Sequence, residues 1–195
     1  IELPESLTFE EDDSLVEDFE QYIGDIDGDT LTLTVSGNEN ITVSIDEFVV
    51  TLGAPQDWNG GENLTFTVND NQGRATTTDE VDIVVAPVND APTISGQAEL
   101  ETQEESPLAI TFSDLAVSDV DDTYPVGFSL MILNGENYTV SNSTITPVTD
   151  FFGDLSIGVY VDDGSPENSQ SDTLALVVTV TNVNDAPAFI DDFPD

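Results

Sequence analysis

The feature that most constrains this chain is a pentapeptide, Val-Asn-Asp-Ala-Pro, that occurs at residues 88–92 and again at 183–187. Subtracting the proline positions (187 − 92) gives a period of 95 residues. A fixed period of this kind is typical of tandem copies of one structural unit. Because proline restricts its own φ and the conformation of the residue before it, we expect a stiff joint at each pentapeptide. The period predicts two domains, residues 1–90 and 91–185, with residues 186–195 as the start of a linker to a further repeat.

Between the joints, short segments alternate apolar and polar residues with the period of a β-strand. Examples from the first copy are Leu31–Val35, Ile41–Ile45 and Leu64–Val68, and turns rich in Gly, Asn and Asp separate them. The second copy repeats this order, with Leu155–Val159 aligned with Leu64–Val68, and no segment has a convincing helical period. The sequence therefore predicts an all-β protein made of two tandem Greek-key β-sandwich domains, cadherin-like or Ig-like, joined end to end.

The charge balance excludes several classes of partner. Arg74 is the single basic residue against 41 acidic ones, and the formal net charge is −40. Such a chain cannot neutralise phosphates, so we expect neither nucleic-acid binding nor attraction to an anionic membrane. It has no long apolar run, which argues against membrane insertion. The polar start is not a signal peptide, so we expect a fragment of a longer secreted protein.

The turns between strands carry the acids, and this placement indicates a metal. Asp, Asn and backbone carbonyls are the oxygen ligands that Ca²⁺ prefers. Zinc, copper and iron sites favour His or Cys, and the sequence contains neither. The turn 25–29 is not an EF-hand loop, because its glycine is at the fourth position rather than the sixth. Two alternatives are that these turns are simply solvated and that the acidity reflects only a saline habitat.

Four motifs occur in the same order in both copies. They are paired acids (10–11, 104–105), Asp-x-Asp (25–27, 119–121), Asp-aromatic-x-Gly (57–60, 150–153) and a Val-x-Asp-x-x-Gly (68–73) or Val-Asp-x-Gly (161–164) turn. Together with Val-Asn-Asp-Ala-Pro, this order resembles the bacterial cadherin-like repeats called tandem-95, found in large secreted surface proteins that are often type I-secreted adhesins. In cadherins, calcium lies between successive domains and rigidifies the joint.

The resemblance implies a ligand set for the joint between the two copies. Its members are carboxylates and one amide from both copies: Glu10, Glu11, Asp57, Asn89, Asp90, Asp119, Asp121 and Asp162. It also implies weaker half-sites that face neighbouring repeats: Asp25, Asp27, Asp70, Glu104, Glu105, Asp150, Asn184 and Asp185. The linker is one residue shorter than the cadherin form and has Pro87 in place of its leading Asp, which leaves the number of ions per joint open.

The resulting hypothesis is a calcium-rigidified extender or adhesion module of an extracellular, bacterial cell-surface adhesin, acting in cell adhesion or biofilm. Its expected partners are neighbouring repeats of the same chain, and surface polysaccharide or another adhesin. The alternative is a calcium-dependent module that itself binds polysaccharide or a partner protein. A glycosidase using Glu104 and Glu105 is disfavoured, and we expect no enzyme activity. Trp58 is expected to fill a core position rather than to stack on a sugar.

Overall fold

The structure, a computed structural model, describes residues 2–73 and 76–187. Arg74 and most of the predicted linker, residues 188–195, lie outside the described residues. By its internal contacts the chain divides into two compact units, Ile1–Val88 and Asn89–Asp195. We call these unit 1 and unit 2. The sequence analysis placed the boundary after Asp90, whereas the units divide after Val88.

The described residues of unit 1 form seven strands and one single-turn 3₁₀ helix, Glu20–Tyr22. The strands are β1 (Ser6–Glu10), β2 (Ser14–Asp18), β3 (Thr32–Ser36), β4 (Thr42–Asp46), β5 (Val49–Gly53), β6 (Gly60–Asn69) and β7 (Thr76–Ala86). One sheet has the order β1-β7-β6-β3, in which β1 runs parallel to β7, and the other has the antiparallel order β2-β5-β4.

Alternation along the strands places the core of unit 1 between its two sheets. Val50 and Leu52 of β5 are completely buried, as are Leu64 of β6 and Val81 of β7. Phe19, which follows β2, packs edge-on against Phe66 with ring centroids 5.1 Å apart. These side chains come from both sheets, so the apolar positions that predicted the strands also hold the sandwich together.

Unit 2, over its described residues 89–187, contains nine strands and a single-turn 3₁₀ helix, Phe112–Asp114. The strands are β8 (Thr93–Gln97), β9 (Glu101–Gln103), β10 (Leu108–Ala109), β11 (Leu115–Ser118), β12 (Ser129–Ile132), β13 (Tyr138–Ser141), β14 (Thr144–Pro147), β15 (Gly153–Asp162) and β16 (Leu174–Thr181). They form a sheet in the order β12-β15-β16-β9, a sheet in the order β10-β14-β13, and the pair β11-β8.

The two units share one architecture. The order β3-β6-β7-β1 of unit 1 corresponds to β12-β15-β16-β9 of unit 2, and in both sheets the last of these pairings, β7-β1 and β16-β9, is parallel. Unit 2 has its own core, with Ile145, Ile157, Val159 and Leu176 fully buried. The predicted fold class, an all-β chain of Greek-key sandwiches, is confirmed.

The strand register corrects two equivalences drawn from the letters of the sequence. Val81 and Leu176 are equivalent positions, because they are separated by the 95-residue period. Leu64 pairs with Val81, and Ile157 pairs with Leu176. Ile157 rather than Leu155 is therefore the counterpart of Leu64. Asp70 therefore corresponds to Asp163, which follows β15 as Asp70 follows β6. The parallel pairings likewise make Glu10 the counterpart of Gln103, because Glu10 pairs with Ala86 and Gln103 pairs with Thr181. Glu104 thus corresponds to Glu11 rather than to Glu10.

Candidate metal sites

The Asp-x-Asp motif of unit 2 forms a tight acidic turn after β11. Asp119 Oδ1 accepts hydrogen bonds from the backbone N–H groups of Asp121 (2.9 Å) and Asp122 (2.8 Å). Asp121 Oδ2 in turn accepts the backbone N–H of Asp90 at 2.8 Å. Asp119 Oδ2 is shielded from solvent and has no hydrogen-bond partner among the described residues. Shielding a carboxylate oxygen without a partner is costly, so this atom fits a bound cation.

Asn89 lies among oxygen atoms from the same unit. Its side-chain nitrogen is within 3.1–3.2 Å of the Asp163 Oδ2 atom and of the carbonyl oxygens of Asp90, Glu167 and Asn168. An amide nitrogen carries two hydrogens, so four oxygens converge on a group that can fully satisfy two of them. A concentration of carboxylate and carbonyl oxygens is the donor set that suits a hard cation such as Ca²⁺.

Asp163, which is not among the ligands predicted from the sequence, lies beside Asn89. Its side chain is 8% exposed, and its Oδ1 accepts the backbone N–H of Ser165 at 2.6 Å. Burial alone would raise the pKa of Asp163, but hydrogen bonds from Ser165 and Asn89 outweigh it and lower this pKa below its usual value. Asp163 is therefore ionised at neutral pH. The predicted ligand, Asp162, is half-buried and accepts hydrogen bonds from Gly164 and Gln170 instead.

A second acidic group of unit 2 consists of three residues that are predicted as ligands of a weaker half-site. Carboxylate oxygens of Glu104, Asp150 and Asp185 lie within 4.8 Å of one another. Desolvation, followed by the charges of Asp150 and Glu104, raises the pKa of Asp185 above its usual value. Glu105 adds to this effect, and its own carboxylate accepts the Thr149 hydroxyl at 2.7 Å. Crowded carboxylates of this kind are stabilised by a proton or by a metal ion.

Glu104 is the buried member of this group. Its side chain is 3% exposed, and its Oε1 accepts the backbone N–H of Val183 at 2.6 Å. Asn184 lies next to Val183, and its side-chain nitrogen donates to the Asp185 carbonyl at 3.1 Å. Asn89 makes the same contact with the Asp90 carbonyl at the same distance. The repeated pentapeptide therefore has a repeated local conformation.

Unit 1 contains the counterpart of the Glu104 contact. Glu11 is 3% exposed, and its carboxylate accepts the backbone N–H of Val88 at 2.7 Å and the Asn59 side chain at 3.2 Å. The neighbouring Asp12 accepts the backbone N–H of Asp57 at 3.0 Å. Asp57 is a predicted ligand, whereas Asp12 is not. Glu10 is exposed at the end of β1. Of the two adjacent predicted ligands, Glu10 and Glu11, the structure places Glu11 beside the pentapeptide.

The remaining predicted half-site of unit 1 resembles the Asp119 turn. Asp25 Oδ1 accepts the backbone N–H groups of Asp27 (2.8 Å) and Asp29 (3.2 Å). Asp70 Oδ1 accepts the backbone N–H of Gln72 at 2.9 Å, and the Gln72 side chain donates to Asp29 at 3.2 Å. The structure therefore links Asp25 and Asp70 through Asp29 and Gln72, while Asp27 is exposed.

The aromatic residues near the Asp57 and Asp150 turns differ in exposure. Trp58 and Phe151 are half-buried and pack against the cores of unit 1 and unit 2, respectively. Phe152 is 63% exposed. The interpretation of Trp58 as a residue that completes the core is consistent with this packing. None of the helices in the described part of the chain is long and apolar enough to cross a membrane.

One protein-family model matches the first repeat. Residues 3–84 match the family model described as bacterial Ig domain, and this range falls within unit 1. No curated protein matches the sequence closely enough to count as a relative.

A solved structure, human protocadherin-24 EC1-2, shows the same fold across most of the chain. Human protocadherin-24 EC1-2 matches with a TM-score of 0.57 and 18% identity, covering 90% of this chain and 94% of that one. Drosophila N-cadherin EC1-4 matches with a TM-score of 0.48 and 18% identity, covering 91% of this chain and 48% of that one. An endo-fucoidan hydrolase of glycoside hydrolase family 107 has a TM-score of 0.36 and 18% identity, covering 93% of this chain, which spans 28% of the hydrolase. The family match and the protocadherin fold confirm the resemblance to bacterial cadherin-like, Ig-like repeats.

Proposed function

We propose that this pair of bacterial cadherin-like, Ig-like repeats is a non-catalytic, calcium-binding extender module of an extracellular bacterial surface protein. The observation that carries the proposal is the shielded Oδ2 atom of Asp119, which has no hydrogen-bond partner among the described residues. A carboxylate oxygen withheld from both water and donors is stable when a cation binds to it. Calcium supplies that charge without requiring His or Cys ligands.

The surroundings of Asn89 and Asp90 favour Ca²⁺ over Mg²⁺. Asp121, Asp163 and the carbonyl oxygens of Glu167 and Asn168 approach the consecutive residues Asn89 and Asp90. A mixture of carboxylate and carbonyl oxygens on loops suits the larger ion, which accepts 6–8 ligands in flexible geometry. Mg²⁺ demands a near-octahedral shell and retains several waters. We therefore expect the chain to prefer calcium.

The proposed consequence of binding is a stiffer joint. The acids that we assign as ligands adjoin the pentapeptide: Glu11 bonds to Val88, Asn89 and Asp90 belong to it, and Glu104 bonds to its second copy at Val183. Without metal, the carboxylates repel one another, and the pentapeptide can bend to separate them. With calcium, ligands on either side of the pentapeptide share an ion, and the joint becomes restricted. Repeats stiffened in this way would extend an adhesive domain away from the cell surface.

Calorimetric titration of the calcium-depleted chain tests the binding step. We expect saturable Ca²⁺ binding at constant ionic strength. The Asp119→Asn variant should bind Ca²⁺ with markedly lower affinity than the parent chain. Asp154→Asn is the matched control, because Asp154 is an exposed aspartate of β15 in the same unit. If sodium chloride of equal ionic strength reproduced every effect of calcium, the acids would be a general adaptation to salt and the proposal would fail.

Small-angle X-ray scattering tests the mechanical step separately. We expect the maximum dimension of the chain to increase when Ca²⁺ is added but not when sodium chloride is added. The range of molecular dimensions in solution should narrow under the same condition. Binding by calorimetry without any change in scattering would preserve the calcium sites and reject the extender role. In that case calcium-dependent binding of a polysaccharide or partner protein would become the better explanation.

A further inference from the structure

The turn between β12 and β13 of unit 2 contains an Asn-Gly pair, Asn134-Gly135. Both residues are exposed and lie outside the two strands. Within the described part of the chain, neither the Asn134 side chain nor the Gly135 N–H has a hydrogen-bond partner. Gly135 also has no side chain to hinder the approach of its backbone nitrogen to the preceding asparagine. The turn therefore presents a side-chain amide and an adjacent backbone nitrogen that no hydrogen bond restrains.

A second Asn-Gly pair, Asn59-Gly60 in unit 1, is also exposed but is anchored. The Asn59 side-chain nitrogen donates to the carboxylate of the buried Glu11 at 3.2 Å. Gly60 begins β6 and pairs with Val85 of β7. To meet the Gly60 nitrogen, the Asn59 side chain would have to leave Glu11, and the end of the β6-β7 ladder would have to distort. The chain thus contains the same dipeptide in an unrestrained and in an anchored form.

We propose that Asn134 is a site of spontaneous deamidation and that the fold protects Asn59 from the same reaction. The backbone nitrogen of Gly135 attacks the side-chain carbonyl carbon of Asn134, and the new C–N bond closes a succinimide ring. The side-chain nitrogen Nδ2 leaves as ammonia and carries away the proton that the attacking nitrogen gives up. Water then hydrolyses either carbonyl of the ring, which yields aspartate or isoaspartate at this position. The reaction requires no enzyme, and its co-reactant is water.

The modification site adjoins a buried tyrosine that closes the turn. The Tyr138 hydroxyl donates to the Leu133 carbonyl at 2.8 Å. Gly135 lies against the same side chain, because a Cβ atom placed on Gly135 would be 2.6 Å from the Tyr138 hydroxyl oxygen. Isoaspartate carries the backbone through its side-chain carbons and so lengthens the turn between Leu133 and Gly135. The lengthened turn has to displace one of these two contacts with Tyr138, so we expect isoaspartate to destabilise unit 2.

Peptide mapping by mass spectrometry tests the proposal on the full chain, aged in calcium-containing buffer at mildly alkaline pH. Deamidation replaces an amide by a carboxyl group and so changes the mass of the peptide that contains it. We expect the peptide with Asn134 to be modified at least about tenfold faster than the peptide with Asn59 in the same sample. The rate should increase with pH, because the attacking nitrogen must give up its proton. An unmodified Asn134, or equal rates at the two asparagines, would overturn the proposal.

The same mapping on the chain unfolded in urea tests whether the fold causes the difference in rate. The anchoring of Asn59 by Glu11 and by the β6-β7 pairing exists only in the folded unit. We therefore expect the rates at Asn59 and Asn134 to converge in urea, chiefly because Asn59 becomes faster. A difference in rate that persisted unchanged in urea would come from the neighbouring residues in the sequence, and it would overturn the protective role of the fold.

Thermal unfolding before and after ageing tests the effect on the Tyr138 contacts. Asn134→Gln is the matched control, because it keeps a neutral side-chain amide but would have to close a larger and less favourable ring. We expect the unfolding temperature of the parent chain to fall on ageing and that of the variant to stay constant. A parent chain that accumulates isoaspartate without losing stability relative to the variant would overturn the inferred effect on Tyr138. Asn134 is not among the residues assigned to calcium, so neither readout depends on the proposed function.

Discussion

The backbone N–H of Val88 donates a 2.7 Å hydrogen bond to the carboxylate of Glu11, a side chain that is 3% exposed. Val183 makes the same contact with Glu104 at 2.6 Å, and that glutamate is also 3% exposed. Both valines begin the repeated pentapeptide. A buried glutamate therefore attaches the start of each pentapeptide to the unit that precedes it. Because a buried acid needs strong donors, the contact gives these glutamates a structural role in addition to any role as metal ligands.

Substituting Glu11 tests this structural role. Glu11→Ala leaves the Val88 N–H without its acceptor, so we expect the free energy of unfolding of unit 1 to fall by about 1–3 kcal/mol. Glu10→Ala, one residue away on an exposed position, should change it by less than about 0.5 kcal/mol. Urea unfolding in the presence of a calcium chelator measures both values without a contribution from metal. Equal effects of the two substitutions would show that the Val88 contact does not stabilise the unit.

Asp162 and Asp163 are adjacent, and their contacts predict different effects on calcium binding. Asp163 is buried and is held ionised by hydrogen bonds from Ser165 and from Asn89. Asn89 belongs to the pentapeptide, so Asp163 lies beside it. We expect Asp163→Asn to weaken calcium binding at least about tenfold, because it removes a full charge from the ligand set. Asp162→Asn should have a smaller effect. Calorimetric titration of both variants decides between them, and a larger loss for Asp162→Asn would favour the assignment made from the sequence.

The register of β15 explains why the sequence did not identify Asp163. Strand patterns repeat every second residue, so a shift of two residues leaves the apolar alternation unchanged. Aligning Leu155 with Leu64 therefore fits the pattern as well as aligning Ile157 with Leu64, and only the backbone pairing of β6 with β7 and of β15 with β16 separates the two alignments. The strands and the fold were predictable because they depend on alternation alone. The contact of Glu11 with Val88 joins residues 77 positions apart, which no local pattern can specify.

Glu62 provides a test within unit 1 that is independent of metal. Its carboxylate accepts the backbone N–H groups of Glu39 (3.0 Å), Asn40 (2.6 Å) and Ile41 (3.2 Å), and so fixes the turn before β4. Desolvation would raise the pKa of Glu62, but these bonds lower it overall. A lowered pKa stabilises the fold above the unfolded-state pKa, and this contribution is lost as pH falls through the folded-state pKa.

We therefore expect Glu62→Gln to destabilise unit 1 at neutral pH by roughly 1 kcal/mol, a modest value because solvent screens the site. The difference between the variant and the parent should shrink in acid, where Glu62 is protonated. Glu80→Gln, an exposed change on β7 of the same sheet, is the control. Thermal unfolding at several pH values measures the effect, and a difference that did not vary with pH would exclude the charge of Glu62 as its source.

Asp185 predicts the opposite dependence on pH. Desolvation and the nearby charges of Asp150 and Glu104 raise its pKa, so the folded chain holds this proton more tightly than the unfolded chain. The associated stability is present below the unfolded-state pKa and is lost as pH rises through the raised one. In calcium-free buffer, Asp150→Asn should therefore lower the pKa of Asp185 and stabilise unit 2 at neutral pH but not in acid. Calcium should lower the same pKa in the parent chain, since a metal ion competes with the proton for these oxygens. Carboxyl NMR titration measures the pKa directly, and a pKa of Asp185 that neither calcium nor Asp150→Asn lowers would rule out a shared site with Glu104 and Asp150.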